Sequence, residues 1–260
     1  IGGSGEEQPH SLVVDPQGNL VIAGRTNSPF AGGTGTVGFP VQGPVGRVGN
    51  GGKFDIVVVK LNATGSALIG SVRIGGSEDD GVNISTARSR NSLQQNYGDD
   101  GRSEVILDDA GNIYVASTTQ SLSTSAGEGF PVKNAFQPTG GGKQDGVLLK
   151  FDPNLSTYNF GSFIGGDGND AAYVLSIRPT DGNIYVAGGT ESTNLLNGTR
   201  SGTVGANPFG GIDGFVTIVA PNGSAVVKTS YIGTAGDDQV YGIQFDANGF
   251  PYVMGQTTGD

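Results

Sequence analysis

The sequence has no cysteine and no tryptophan, and only one histidine and one methionine in 260 residues. Lack of cysteine excludes disulfide stapling and thiol catalysis and leaves the compartment open. No apolar run approaches the ~18 residues of a membrane helix. Basic residues are few, 14 Lys and Arg against 24 Asp and Glu, for a net charge of −10 and a pI near 4.4. Such a chain repels a phosphate backbone, so nucleic acid is not an expected partner. No Gly-x-Gly-x-x-Gly precedes a helix, which removes the nucleotide-binding motifs. No signal peptide is present, and Ile1 is not an initiator methionine. The sequence therefore reads as a portion of something longer and leaves secretion undecided.

Glycine is abundant: 48 residues, without a strict three-residue period. It gathers at turns and in long loops, as short strands joined by tight connections require. A Gly-Gly mark at Gly2-Gly3 returns at Gly75-Gly76 and Gly165-Gly166, and as Gly233-Thr234. A Gly-Asn turn recurs at Gly18-Asn19, Gly111-Asn112 and Gly182-Asn183, with Gly249-Phe250 in the last copy. Each is followed by an apolar run: Leu20 to Gly24, Ile113 to Ser117, Ile184 to Gly188 and Pro251 to Gly255. The small residues ending these runs suit a crowded centre. An Asp-led strand recurs at Asp55, Asp145 and Asp213. The order predicts four strands per unit, near residues 10–15, 19–25, 55–61 and 67–74 in the first.

Four antiparallel strands per unit with no helix between units is the pattern of a propeller blade, so the expected fold is an all-β β-propeller. The units span approximately 1–74, 75–164, 165–232 and a partial 233–260, with an insertion at approximately 77–97. That insertion reads as a surface loop; the rival reading is a short helix over 87–95. Three units and two further strands would leave sheet edges open, so the expectation is a fragment of a larger closed propeller, completed by the remainder of the same longer chain. A parallel β-helix is the competing architecture, but periods near ~70 residues with four dissimilar strands suit its short rungs poorly.

The ordered marks resemble the bacterial β-propeller repeat family called SBBP. The first unit carries Val14-Asp15, Gly18-Asn19, Gly24-Arg25-Thr26, Phe39-Pro40 and Phe54-Asp55; the second Asp108, Gly111-Asn112, Tyr114-Val115, Phe130-Pro131 and Asp145. The third carries Gly182-Asn183, Tyr185-Val186, Gly188-Gly189-Thr190 and Asp213; the fourth Asp246, Gly249, Tyr252-Val253 and Gly255-Gln256-Thr257. Arg178 stands where Asp15 does, and the third unit lacks Phe-Pro before Asp213. The resemblance implies a secreted or cell-surface protein and no shared enzymatic activity.

In a meander of this kind the loops between second and third strands share one side with the crossings between units. That side collects residues 27–52, 120–143 and 191–211, with the acids Glu6-Glu7, Asp79-Asp80, Asp167, Asp170 and Asp237-Asp238. Two readings of these acids stand side by side. Asp167, Asn169 and Asp170 place oxygens in one short Gly-containing turn that could hold calcium, although the spacing is not that of an EF-hand. Alternatively, one acid per unit (Glu7, Asp80 or Asp100, Asp170, Asp238) accepts backbone N–H groups at a tight crossing. Asp55, Asp145 and Asp213 read as strand-entrance caps, too far apart by symmetry for glycosidase chemistry. His10 shares its position with Tyr173 and Tyr241, which argues for packing and against a Ser-His-Asp site with Ser11. Asn62, Asn83, Asn154, Asn197 and Asn222 begin Asn-x-Ser/Thr triplets, glycosylation acceptors in a suitable host. With scaffold and variable loops but no nucleophile–base–orienter set, the expected function is a non-catalytic interaction module binding protein or glycan through the long-loop face. The alternatives are a structural subunit of a surface filament or secretion assembly, and a polysaccharide lyase or hydrolase.

Overall fold

Runs of Val, Ile, Leu and Tyr broken by Gly- and Asp-containing turns fold as strands throughout the computed structural model, which describes residues 1–29, 34–84, 101–197 and 204–260. The first sheet holds β1 (Glu7–Val14), β2 (Leu20–Thr26), the two-residue β3 (Arg47–Val48), β4 (Asp55–Leu61) and β5 (Leu68–Ile74), in the order β1-β2-β4-β5-β3. The second holds β6 (Glu104–Leu107), β7 (Ile113–Thr119), β8 (Asp145–Phe151) and β9 (Tyr158–Ile164). The third holds β10 (Asp170–Ile177), β11 (Ile184–Thr190), β12 (Asp213–Val219) and β13 (Val226–Ile232), and the fourth β14 (Asp238–Phe245) and β15 (Pro251–Thr257). All pairings within these sheets are antiparallel except that of β3 with β5. Among the described residues no helix is long and apolar enough to cross a membrane.

The turns between first and second strands are closed by the predicted residues. Gly18, Gly111, Gly182 and Gly249 all have φ between +72° and +82°, a region where a side chain is strained. The Asp15 carboxylate accepts the N–H groups of Gln17 and Asn19 at 2.9 and 2.8 Å. Where Arg178 replaces that aspartate the turn is one residue longer, and the extra Asp181 caps Asn183 instead. Buried Lys60 reaches Asp15 at 2.8 Å and ties this turn to the end of β4. Burial alone would raise the Asp15 carboxyl, but the bonds from Lys60 and Asn19 outweigh it and hold it at about 2.

The first strand begins three residues earlier than predicted, at Glu7, because a bulge lets the ladder continue past Pro9. The bulged residue is His10 in β1, Tyr173 in β10 and Tyr241 in β14. The bulge also explains the glycine that follows the buried alanine in the second strand of the first and third sheets. A Cβ on Gly24 would lie 2.2 Å from the Gln8 carbonyl, one on Gly188 1.8 Å from that of Ala171, and one on Gly255 2.0 Å from that of Gln239. The crowding is thus within each sheet, from the backbone of its own first strand. In the second sheet Ser117 holds this position, and there the first strand starts only at Glu104, opposite Ala116.

That short β6 locates the interruption in the repeat. Asp80 bridges antiparallel to Thr119, as Glu7 pairs with Thr26 and Asp170 with Thr190. The Gly81 N–H donates to the Thr118 carbonyl at 2.8 Å. Register therefore puts the break after Gly81, inside the first strand, and keeps Asp80 as the unit's opening acid. The helix considered over 87–95 lies outside the described residues.

Apolar residues alternate along the strands, and each sheet packs face to face on the next. Val21, Ala23, Ile56 and Val58 meet Val105, Val115, Val147 and Leu149. The opposite face of the second sheet (Tyr114, Ala116, Leu148) meets Leu175, Val186 and Phe215. Tyr173, Tyr185 and Ala187 then meet Val240, Tyr241 and Ile243. Gly188→Ala is expected to destabilise the protein by about 1–3 kcal/mol, the usual cost of overpacking against an immovable neighbour. Denaturant unfolding checks it, and an unchanged midpoint would show that β10 can recede.

Candidate functional site

The side of the molecule that carries the long second-to-third-strand loops is organised by one acid per unit at the head of the first strand. Buried Asp170 accepts the Gly166 N–H at 2.8 Å, the Ser192 hydroxyl at 2.7 Å and the Thr190 hydroxyl. Buried Asp80 takes the same three donors from Gly76 (2.8 Å), Ser121 (3.1 Å) and Thr119. Glu7 takes the Thr26 hydroxyl at 2.7 Å and that of Ser28. The donors form a Thr-x-Ser step at the end of each second strand: Thr26-Asn27-Ser28, Thr119-Gln120-Ser121 and Thr190-Glu191-Ser192. The signal was present in the sequence but went unused, because Thr and Ser are common and their partner lies some twenty to forty residues away. The fourth unit reads Thr257-Thr258-Gly259, and there Asp238 takes the Thr234 N–H at 2.6 Å and its hydroxyl at 3.0 Å.

Each of these acids after the first sits beside the strand-entrance acid of the preceding unit, a pairing the sequence reading missed. Asp55 Oδ1 and Asp80 Oδ2 lie 2.0 and 2.6 Å from the point where a Cβ on Gly75 would stand. Asp213 Oδ1 and Asp238 Oδ2 lie 2.6 and 2.8 Å from the equivalent point on Gly233, and the Asp145 carboxyl closes on Gly165 in the same way. Carboxyl groups crowding a bare backbone account for glycine at the first position of the recurring Gly-Gly mark. Asp145 accepts one N–H, from Gly141 at 3.0 Å, and Asp213 accepts those of Phe209 and Gly210. Among the described residues no hydrogen-bond partner reaches one buried oxygen each of Asp55, Asp145 and Asp213.

The charge on these pairs is handled differently along the chain. Arg73 forms an ion pair with Asp55 at 2.5 Å and also donates to the Ser28 carbonyl. Phe163 and Tyr231 stand at the position of Arg73 in the second and third sheets, so no guanidinium arrives there. Burial pushes Asp145 up to about 8, with the charge of Asp170 adding to the rise. Burial also raises Asp170, to about 6, against the hydrogen bonds from Thr190, Ser192 and Gly166. Asp55 is raised to about 6 by burial despite Arg73, and burial carries Asp80 well above the usual carboxylate range.

The three residues considered for calcium are drawn to different places. Asp170 is buried at the head of β10, as described. Exposed Asp167 accepts the N–H and the hydroxyl of Thr193, both at 2.8 Å. Asn169 accepts the Lys143 N–H at 3.1 Å and donates to Glu191 at 2.7 Å. Among the described residues no group of three His, Asp or Glu side chains converges as an ion would require. The three residues that sequence put in one turn pin the crossing to two neighbouring loops. His10 bonds through Nδ1 to Ser103 at 3.2 Å, while Ser11 accepts the Val105 N–H.

Two concave patches flank Pro138-Thr139-Gly140 on the loop side. One is lined by Phe136, Gln137, Asp167, Asn194 and Leu196, the other by Leu122, Ser123, Thr124, Phe130 and Phe163. The first mixes amide and hydroxyl groups with apolar surface and the second only hydroxyl groups, and Thr139, Asp167 and Asn194 are exposed. No protein-family model matches the chain, and no curated protein sequence matches it.

An unfolded aspartate titrates near ~3.9. The folded chain therefore holds more protons than the unfolded one between about pH 4 and pH 8, and the Asp145–Asp170 pair contributes less stability as pH rises through that window. Asp145→Asn is expected to flatten this fall and raise the melting temperature at alkaline pH; a variant as pH-sensitive as the wild type would contradict the pairing. Calorimetry with millimolar calcium is expected to give no binding heat and no shift in melting temperature. A heat that disappears in Asp167→Asn would restore the ion loop.

Proposed function

We propose that the sheets are blades of a β-propeller of the kind the repeats resemble, and that the chain is a non-catalytic interaction module of a secreted or cell-surface protein. Its loop side binds a protein or a glycan. The observation that carries this reading is the asymmetry of the connections. On one side the strands are joined by short turns closed by Asp15, Asp108 and Asp152. On the other, long loops run from Thr26 to Asp55, Thr119 to Asp145 and Thr190 to Asp213. Their roots are held by buried carboxylates, so a rigid frame presents variable segments, the usual arrangement of a recognition surface.

The buried carboxyl pairs have the raised proton affinity that acid–base chemistry uses. They are sealed, however: Asp80, Asp145 and Asp170 are all 0% exposed. A substrate has no approach to them, and their hydrogen bonds are those of a joint.

Binding of the purified chain to an array of bacterial and host polysaccharides and extracellular proteins tests the reading. Thr139→Arg is expected to reduce binding at least tenfold without lowering the melting temperature, because its side chain is exposed. Turnover of an array glycan, abolished by Asp167→Asn, would replace the binding module by an enzyme.

A further inference from the structure

Pro138-Thr139-Gly140 stands between two clefts that share it as a wall, of about 520 and 470 Å³. The first lies where the long loop of the second sheet meets the crossing into the third. Its floor is apolar, from half-buried Phe136, Leu196 and Val226. Its rim carries Thr139, Asp167 and Asn194, all exposed.

The rim groups are set in place by bonds made behind them. Asn194 Oδ1 accepts the Asp167 N–H at 2.8 Å, which leaves Nδ2 a donor with no partner among the described residues. Asp167 takes the Thr193 N–H on one oxygen and the Thr193 hydroxyl on the other. Those bonds hold its carboxyl below the usual range, so it stays an anion with lone pairs to spare. The segment bearing Asn194 is anchored around it. The Tyr231 hydroxyl donates to the Ser192 carbonyl and accepts the Leu195 N–H, both at 3.0 Å, and the Leu196 N–H donates to the Gly165 carbonyl at 3.0 Å. Leu196 sits at φ +56°, a conformation that a bulky residue holds only where its surroundings impose it.

A free amide donor beside a carboxylate acceptor, above an apolar floor, suits the vicinal hydroxyls of a sugar ring. Each hydroxyl donates one bond and accepts another, while the C–H face of the ring is apolar. No Lys, Arg or His lines either cleft, and the chain carries −10, so acidic ligands are repelled. An added peptide strand has no edge to pair with here, because that of β9 is taken: Gly161 exchanges both bonds with Lys133, and the Phe163 N–H donates to the Gln137 carbonyl. We propose that the first cleft is a neutral-saccharide site, Asn194 donating to one ring hydroxyl and Asp167 accepting from its neighbour. An oligosaccharide continues past Thr139 into the second cleft, where exposed Thr124 and Ser125 offer hydroxyls beside half-buried Leu122. The assignment rests on the reading of the loop side as a binding surface and narrows it to one ligand class.

Titration calorimetry of the whole chain with neutral hexose sugars, from single units to hexasaccharides, and with uronate-containing oligosaccharides of the same lengths provides the test. Neutral oligomers are expected to bind about tenfold more tightly than the single sugar, and acidic oligomers about tenfold less tightly than neutral ones. Asn194→Asp keeps the acceptor for the Asp167 N–H and loses the free donor. It is expected to weaken neutral-oligomer binding about tenfold, the effect of one lost hydrogen bond, with the melting temperature unchanged. Asn194→Ala serves if melting shows the charged variant disturbed. Four results would each overturn the assignment and leave a binding module standing: acidic oligomers bound as well as neutral ones, oligomers bound no more tightly than the single sugar, binding untouched by either Asn194 variant, or an extracellular protein bound instead and lost in Thr139→Arg. A chain that binds neither glycan nor protein overturns the broader reading with it.

Discussion

A buried carboxylate at the head of the first strand, Asp80 or Asp170, joins three stretches of chain that have no local reason to meet. For Asp170 these are the crossing from the preceding sheet, through Gly166, the end of β11, through Thr190, and the start of the following loop, through Ser192. Stripping water from a carboxylate is costly unless its oxygens are satisfied, and three donors offset that cost only if all three segments are in place. The acid therefore acts as a check on the fold. Its donors also set where each long loop leaves the sheet, so the geometry of the loop side is inherited from the interior.

The same point explains how the units differ without losing their joint. In the first sheet Arg73 neutralises Asp55 and takes the Ser28 carbonyl, binding the loop root directly. In the next two sheets Phe163 and Tyr231 occupy that place and contribute to packing, and Tyr231 donates to the Ser192 carbonyl at 3.0 Å. An ion pair and an aromatic side chain thus hold equivalent positions. The aromatic solutions leave Asp145 and Asp213 without a counter-charge from that position, and burial moves their proton affinity upward.

The bulge is the second constraint. It leaves one residue of the first strand unpaired, His10, Tyr173 or Tyr241, and brings the strand's backbone against a glycine of the second. In the second unit the first strand is interrupted near this place, where the ladder is irregular in every other unit, and the glycine is replaced by Ser117, bonded to Ser103 at 2.7 Å. A break there sacrifices little pairing, because Asp80 still holds the start of the strand and Glu104–Leu107 still holds its end.

The strands, their order and the Gly-Asn turns were determined by sequence alone, because each depends on neighbours within a few residues: β-branched and aromatic runs, a glycine at positive φ, an aspartate capping two N–H groups. The recurrence of those local signals also established the number of sheets and the side on which the long loops lie. Tertiary structure alone decided what the acids do. Asp167, Asn169 and Asp170 look like one oxygen cluster in sequence, yet their partners are Thr193, Lys143 with Glu191, and Gly166 with Thr190 and Ser192. The pairing of Asp145 with Asp170 was equally illegible, since the residues are far apart in sequence and belong to different units. Hydrogen bonds and burial act through space, so a carboxylate's role is set by which donors the packed sheets bring to it, and residue spacing carries no record of that.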